Sequence, residues 1–226
     1  MRLFTGETRA IDHIRTVNDW HICMHWGQSG EDAVLYRILG EKRGGFYVDI
    51  GAHHPRRFSN THLFHKHLGW SGINVDANDD TIAMFKKERP KDVNIVALIG
   101  EGTRKATYTE FKGNARSTAD ADRTDRLKKG GFEIVSQKEM TPRTLKSILD
   151  EHLKAGQKID LLTIDIEGLD LQALRTNDWA KYRPEVVCVE DFDFRKGKDS
   201  EVARFMSSVD YVCTSHCYDT SIYQKS

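Results

Sequence analysis

Short apolar runs alternate with longer segments of mixed polarity along most of the chain. The runs are nearly continuous, as in parallel strands buried on both faces, and they predict strands at residues 46–50, 70–76, 94–99, 159–166 and 185–189. The intervening segments have helical spacing of apolar residues, and they predict helices at residues 30–39, 58–67, 79–88, 143–154, 169–174 and 200–207. The alternation predicts an α/β fold with a doubly wound, mostly parallel sheet. Residues 211–214 and 221–223 predict an antiparallel strand at its C-terminal edge.

Two helix starts contain residues that commonly cap helices. Ser29 is the expected N-cap of the first helix, with Asp32 three residues later. Thr141 and Pro142 form the expected N-cap and first helical residue of the helix at 143–154.

The chain has 226 residues, the length of one domain with a sizeable core. Residues 1–27 are polar with scattered aromatic side chains, and we expect an arm or helix packed on a domain that spans residues 28–226. Within it, residues 105–111 and 132–140 predict an added strand pair. The charged segment at about 112–131 between them is predicted to be a long loop, a feature that is usually functional or mobile.

Charge and hydropathy exclude several classes of protein. The 34 basic residues balance 34 acidic ones, which argues against binding to nucleic acid or to a membrane surface by charge. No apolar run has the length of a membrane span, and the N-terminus lacks the apolar centre of a signal peptide. We therefore expect a cytoplasmic protein, and the sequence leaves its oligomeric state open.

The cysteines do not predict a metal site. Cys213 and Cys217 flank His216, but this spacing matches no common zinc motif. We interpret them as thiols of an ordinary strand pair.

Acidic residues follow four of the predicted parallel strands. In an open α/β sheet the ligand binds beyond the carboxyl ends of the strands. The residues at those ends are Asp49, Gly51, His53 and His54 after the first strand, Asp76 and Asn78 after the second, Asp165 and Glu167 after the fourth, and Glu190 and Asp191 after the fifth. Their position predicts a functional site at this edge.

The loop after the first strand narrows the choice of cofactor. An acid at the end of the second strand, here Asp76, is suited to accept both hydroxyls of a ribose. A dinucleotide site also needs three glycines whose amides bind a pyrophosphate, whereas this loop has Gly51 and then Pro55, which lacks an amide donor. S-adenosylmethionine has no phosphate and requires close backbone approach at Gly51 and an acid near its amino group, which Asp49 supplies.

Several motifs in order resemble the FkbM family of class I S-adenosylmethionine-dependent methyltransferases. They are SGED at 29–32, FYVDIGAHHP at 46–55, FSNT at 58–61, GINVDAN at 72–78, TL and IL at 144–145 and 148–149, IDIEG at 164–168 and VED at 189–191. The resemblance implies a Rossmann-like fold and O-methylation, commonly of a sugar, a glycan or a glycosylated or polyketide-like metabolite. On this basis we expect the cofactor to contact Gly30, Glu31, Asp49, Gly51, Ala52, Asp76, Ala77, Asn78 and Asp165.

Two routes for removing the proton of the acceptor hydroxyl remain open. In the first, His53 or His54 is the general base, and His54 is preferred because its position before Pro55 fits the family motif. In the second, Mg²⁺ or Mn²⁺ bound by Asp165, Glu190 and Asp191 lowers the pKa of the hydroxyl, by fold-level analogy with catechol-type O-methyltransferases. Without a metal, Glu167 is a candidate base or sugar ligand.

Two other functions compete with methyl transfer. A divergent NAD-dependent oxidoreductase is disfavoured by Pro55, and a non-catalytic binding protein with this fold is disfavoured by the acids at four strand ends. We therefore expect a methyltransferase whose partner is a small-molecule or glycan acceptor.

Overall fold

A computed structural model of the chain describes residues 24–113 and 116–226. Most of the predicted arm at residues 1–27 lies outside the described residues. Within the described ranges, no helix is long and apolar enough to cross a membrane.

The described residues form seven α-helices, one 3₁₀ helix and nine strands. The helices are α1 (Glu31–Leu39), α2 (His62–Leu68), α3 (Asp79–Glu88), α4 (Ala121–Lys129), α5 (Leu145–His152), α6 (Asp170–Arg175) and α7 (Glu201–Ser208), with the 3₁₀ helix at Phe194–Asp199. The strands are β1 (Phe46–Ile50), β2 (Ser71–Asp76), β3 (Val93–Val96), β4 (Ala106–Phe111), β5 (Ile134–Met140), β6 (Leu161–Ile164), β7 (Val186–Glu190), β8 (Tyr211–Cys217) and β9 (Thr220–Lys225).

Seven strands form one sheet in the order β3-β2-β1-β6-β7-β9-β8. The first five are parallel to one another, and β9 runs antiparallel to both β7 and β8. This confirms the doubly wound, Rossmann-like sheet, with the antiparallel strand inserted beside the edge strand β8. The strand order reverses between β1 and β6, the position at which such sheets bind ligands.

Successive strand residues point to opposite faces of the sheet, and helices cover both faces. On one face, Val48 and Leu162 belong to a core cluster with Ile148 of α5 and Met206 of α7. On the other, Tyr47 packs in a cluster with residues of α1 and α2. Burial on both faces explains why the central strands are continuously apolar in sequence.

The predicted strand pair beside this sheet is confirmed, but the loop between its strands is partly helical. β4 and β5 pair antiparallel. Within the segment predicted as a loop at 112–131, α4 starts at Asp120, whose side chain accepts a hydrogen bond from the amide of Arg123. Thr124 is the one buried residue of α4. Because the helix lacks an apolar face, its sequence has no hydrophobic periodicity to reveal it.

Two predicted helix caps are wrong. α1 has Gly30 at its N-cap and no side-chain cap; instead Glu31 accepts a hydrogen bond from the amide of Ser29. α5 is capped by Thr144, which accepts from the amide of Ser147, so this helix begins after Thr141 and Pro142. At α5, Thr141 and Thr144 both fit the capping pattern, and the structure places the cap at Thr144.

Cys213 and Cys217 lie on a strand of the C-terminal hairpin, as expected for thiols of a strand pair. Cys213 and His216 lie on β8, with 3.4 Å between Sγ and Nε2. Cys217 is buried in the core cluster on the α1 side of the sheet.

Candidate active site

A cavity of about 930 Å³, including its open mouth, lies at the carboxyl ends of β1, β2 and β6. Eight residues predicted from sequence line it: Asp49, Gly51, Ala52, His53, Asp76, Ala77, Asp165 and Glu167. Six predicted site residues are not among those that line it: Gly30, Glu31, His54, Asn78, Glu190 and Asp191. The cavity therefore brings together the predicted residues that follow β1, β2 and β6.

Gly51 allows the loop after β1 to pass very close to the end of β6. Its φ angle is 78°, and a Cβ atom at this position would lie 1.8 Å from the carbonyl oxygen of Asp165. A glycine is required here both by the left-handed backbone and by the lack of space for a side chain. The amides of Gly51 and Ala52 donate to the carbonyl of Val75, so this loop is also tied to β2.

Asp49 is a buried carboxylate on the cavity wall. The hydroxyl of Thr61 donates to its Oδ2 at 2.7 Å. Burial raises the pKa of Asp49, while the bond from Thr61 and the charge of Arg89 act against that increase. Asp49 can thus present a negative charge to a cationic group in the cavity.

Asp76 is held by two backbone amides at the end of β2. The amide of His53 donates to Oδ2 at 2.9 Å and the amide of Asn78 donates to Oδ1 at 2.8 Å. Burial raises the pKa of Asp76 to about 6. The side chain of Asn78 caps α3 by accepting from the amide of Thr81, which explains why it supports Asp76 without lining the cavity.

An apolar group lies next to Asp76 on the cavity wall. Ala77, Leu98 and Tyr108 pack together as a buried cluster, and all three line the cavity. Leu98 and Tyr108 were missed in the sequence analysis. Tyr108 comes from β4, outside the main sheet, and no local pattern shows that β4 folds back over β2.

The two adjacent histidines have different roles in the loop. Nδ1 of His54 accepts hydrogen bonds from the amides of Arg56 and Arg57, each at 3.0 Å, so this ring is occupied in stabilising the turn. His53 lines the cavity, and its buried Nε2 has no hydrogen-bond partner among the described residues. Burial lowers the pKa of His53 to about 4, which keeps the ring neutral at pH 7.

Backbone strain is concentrated at the cavity. Among the described residues, five other than glycine have positive φ angles, and three of them line the cavity: His53, Phe58 and Glu167. Such conformations cost on the order of 1–3 kcal/mol each and cluster at functional sites. The rings of His53 and Phe58 are stacked, with 6.1 Å between centroids.

Three carboxylates converge beside the cavity, but one differs from the predicted set. Oxygen atoms of Asp165, Asp170 and Glu190 all lie within 4.8 Å of one another. Asp191 points elsewhere, because its Oδ2 accepts from the hydroxyl of Ser200 at 2.7 Å. Asp170 replaces it: it accepts from the amides of Ile166 and Gly168. The sequence analysis did not single out Asp170, because an acid in the first turn of a helix is ordinarily favourable without any further role.

Electrostatics in this cluster favour protonation or a bound cation. Desolvation raises the pKa of Asp165 and of Glu190, and the neighbouring carboxylates raise both further. Oε2 of Glu190 is buried and has no hydrogen-bond partner in the described part of the chain. Asp165 lines the cavity, so the cluster lies directly beside it.

The segment that includes α4 closes over this edge. Thr118 donates its hydroxyl to the carbonyl of Glu167 at 2.9 Å, and Arg123 forms an ion pair with the carboxylate of Glu167. The guanidinium of Arg123 also lies 4.6 Å from the ring centroid of Phe192. The sequence gives no signal for this contact, because Arg123 and Glu167 are far apart in the chain.

Gly30 and Glu31 lie at the start of α1, next to the segment that passes the cavity. Glu31 is buried and binds the amide of Ser29, and Asp32 accepts from the amides of Trp26 and Gly27. Gln28, between these anchors, lines the cavity.

Comparison with known proteins places the chain in a family. The family model for the methyltransferase FkbM domain matches residues 49–213, whereas no curated protein matches the sequence. Among solved structures, the chain is similar to the precorrin-6y C5,15-methyltransferase of Geobacter metallireducens GS-15, with 14% identity, a TM-score of 0.45 and coverage of 92% of this chain and 95% of that chain. It is also similar to an O-methyltransferase from Bacillus cereus in complex with SAH, with 10% identity, a TM-score of 0.38 and coverage of 99% of this chain and 91% of that chain. The family match spans well over half of the sequence, and the chain therefore belongs to the FkbM methyltransferase family.

Proposed function

We propose that the protein is an S-adenosylmethionine-dependent O-methyltransferase that acts on a hydroxyl of a sugar, a glycan or a glycosylated metabolite. The observation that carries this proposal is the cavity at the switch point of the sheet, which has an acid at the end of β1, an acid at the end of β2 and an apolar cluster beside the second acid. This set matches the amino group, the ribose and the adenine ring of the cofactor in the order in which they are joined.

The residues have separate binding roles in this proposal. Asp49 binds the amino group, Asp76 accepts hydrogen bonds from the ribose hydroxyls, and Ala77, Leu98 and Tyr108 pack against the adenine ring. Gly51 permits the close approach of backbone that this pose requires. When bound, S-adenosylmethionine supplies an electrophilic methyl group on sulfur.

The chain must orient the acceptor hydroxyl and take its proton. His53 is the proposed general base, since it lines the cavity, its Nε2 has no hydrogen-bond partner among the described residues, and its ring is neutral at pH 7. His54 is not proposed for this role, because its Nδ1 is bound to two amides of its own loop. Glu167, held by Arg123, is proposed to orient a hydroxyl of the acceptor.

A divalent cation is a second route to the same proton. The proposed ligands are Asp165, Asp170 and Glu190, in place of the set with Asp191. They fit a hard cation because they offer oxygen donors that lie close together. In addition, the buried Oε2 of Glu190 has no hydrogen-bond partner among the described residues. When bound there, Mg²⁺ or Mn²⁺ would act as a Lewis acid toward an acceptor hydroxyl.

A methyl-transfer screen with isotopically labelled S-adenosylmethionine tests the proposal. Nucleotide sugars and oligosaccharides are offered as acceptors, with and without EDTA, and labelled products are identified by mass spectrometry. We expect transfer to a hydroxyl of at least one sugar-containing acceptor. Transfer to nitrogen or carbon alone would contradict O-methylation, and binding of NADH without affinity for S-adenosylhomocysteine would contradict the methyltransferase function.

A further inference from the structure

Arg89 is a buried cation directly behind the loop that lines the cavity. It follows α3, is 1% exposed, and has the ring centroid of Phe85 at 4.9 Å from its Cζ. Its Nη2 donates to the carbonyl of Pro55 at 2.5 Å and to the hydroxyl of Ser59 at 3.1 Å. One side chain thus holds two points of the loop between β1 and α2.

Arg89 also determines the direction in which the hydroxyl of Thr61 points. Nη1 of Arg89 donates to Oγ1 of Thr61 at 2.8 Å. A guanidinium has donors and no acceptor, so the proton of Thr61 must point away from it. That proton is donated to Oδ2 of Asp49 at 2.7 Å. The contacts therefore form a chain of fixed polarity from Arg89 through Thr61 to Asp49.

A second chain balances the charge of Arg89 away from the cavity. Nη1 of Arg89 donates to the hydroxyl of Tyr47 at 3.0 Å, and this hydroxyl donates to the carboxylate of Asp92. Asp92 also accepts from the amide of Gly72 and the side chain of Asn74. Arg89 is thus linked through hydroxyl groups to two carboxylates, Asp49 beside the cavity and Asp92 on the opposite side.

One oxygen of Asp49 has no hydrogen bond from the described residues. Asp49 lines the cavity, and the described residues supply it with one hydrogen bond, to Oδ2. Its Oδ1 is left for a donor within the cavity.

We propose that Arg89, acting through Thr61, orients Asp49 to bind the ammonium group of the amino-acid part of S-adenosylmethionine. Arg89 is then a positioning residue, which does not touch the cofactor itself. This inference rests on the proposed function. Burial raises the pKa of Asp49, and the hydrogen bond from Thr61 and the charge of Arg89 limit that increase.

Two ligands separate this role from a general structural one. S-adenosylhomocysteine has the ammonium group, whereas 5′-methylthioadenosine has the same adenosine and thioether but no amino-acid part. Their dissociation constants are measured by calorimetry for the wild type and for Thr61→Val, which keeps the side-chain shape and removes the hydroxyl. We expect Thr61→Val to weaken S-adenosylhomocysteine binding roughly ten-fold or more, with the 5′-methylthioadenosine constant changed less than about two-fold.

Three further variants complete the test. Thr61→Ser keeps the hydroxyl and should restore wild-type preference for S-adenosylhomocysteine. Arg89→Lys keeps the charge without the planar fork and should lower the same preference, which covers the case in which Thr61→Val does not fold. Arg56→Gln is the matched control, since Arg56 joins the same loop to Glu88 by an exposed ion pair at 2.6 Å, and it should leave both constants unchanged.

Each outcome has a defined meaning. Equal weakening of both ligands in Thr61→Val and Arg89→Lys would overturn the positioning role, as would no weakening in either variant. A wild type that binds 5′-methylthioadenosine as tightly as S-adenosylhomocysteine would overturn the contact between Asp49 and the ammonium group while leaving the adenosine site intact. A wild type that binds neither ligand would overturn the proposed function itself.

Discussion

His53 and His54 are adjacent in the loop after β1 and are the same residue type, but they have different environments. His53 is turned into the cavity with a left-handed backbone, and His54 caps the turn beneath it. The difference comes from the tight passage at Gly51, after which each residue is directed by its contacts with β2 and with the loop amides. Chemical roles at this scale therefore depend on backbone direction more than on residue type.

Replacing each histidine separately should distinguish these roles. We expect His53→Ala to lower kcat by about 10²-fold or more, as for loss of a general base, with little change in the dissociation constant of S-adenosylhomocysteine. His54→Ala should mainly lower thermal stability, because two loop amides lose their acceptor. A larger loss of kcat in His54→Ala than in His53→Ala, in steady-state assays of folded protein, would refute this assignment.

Asp76 should make cofactor binding depend on pH. Its pKa is raised to about 6 from its usual value near 3.8, so the ionised form that accepts from a ribose is present above about pH 6 and is lost as the pH falls through that value. We expect the dissociation constant of S-adenosylhomocysteine to increase as the pH is lowered from 7 to 5, in calorimetric titrations.

Asp76→Asn is the control for that dependence. It should bind more weakly at pH 7 and should show a smaller change between pH 7 and 5. If the pH dependence is the same in the variant, another group is responsible.

At the scale of elements, α4 and the residues before it join the strand pair β4–β5 to the edge of the main sheet. Thr118 and Arg123 reach Glu167, and the side chain of Asp120 would lie 3.1 Å from a Cβ atom placed on Gly168. These contacts hold a polar helix with one buried residue against the site. Its position depends on a few polar contacts and little on apolar burial.

Arg123→Met should therefore destabilise the protein more than a typical substitution of a charged residue on a polar helix. Both side chains of the Arg123–Glu167 pair are largely buried, and loss of one partner leaves a carboxylate without its counter-charge. We expect the free energy of unfolding to fall by about 1–3 kcal/mol, as measured in urea.

Arg126→Met is the matched control on the same helix, where the side chain is exposed. It should change stability by less than about 0.5 kcal/mol. Equal effects of the two substitutions would show that helix propensity, and not the ion pair, accounts for the loss.

At the scale of the whole molecule, the sheet collects its acidic side chains at one edge. Asp165, Asp170 and Glu190 come from the ends of two adjacent strands and the start of α6. Their mutual repulsion opposes ionisation of all three within the folded protein, and this cost is removed either by protonation or by a cation. Stability of the folded chain should therefore be coupled to divalent metal.

Glu190→Gln should separate these two possibilities. We expect Mg²⁺ or Mn²⁺ to raise the Tm of the wild type at pH 8, because a ligand that binds the folded state stabilises it. The variant should lose that increase and should keep or exceed the Tm of the metal-free wild type, because an amide mimics the protonated acid. Asp191→Asn should still respond to metal, since Asp191 binds Ser200. A metal response that survives Glu190→Gln would exclude this ligand set.

Predictions from sequence were most accurate where a property repeats along the chain. β1 and α3 have the predicted bounds, because buried strands are continuously apolar and helices carry capping residues at their ends. Asp49 and Asp76 each follow an apolar run directly, and both line the cavity. A contact with a distant partner leaves no such signal: Arg89 directly follows α3 in the sequence but is buried beneath the loop that contains Pro55.

The sequence by itself determined the α/β class, the edge of the sheet at which the cavity lies and the family of the chain. Each of these follows from local periodicity and from motifs whose order is visible in one dimension. The tertiary structure alone decided that His53 and not His54 lines the cavity, and that Asp170 and not Asp191 completes the carboxylate cluster. It also decided that Arg89 donates to Thr61, which in turn donates to Asp49. The reason is that side-chain direction at a strand end depends on which elements pack beside it, and these elements are far apart in the chain.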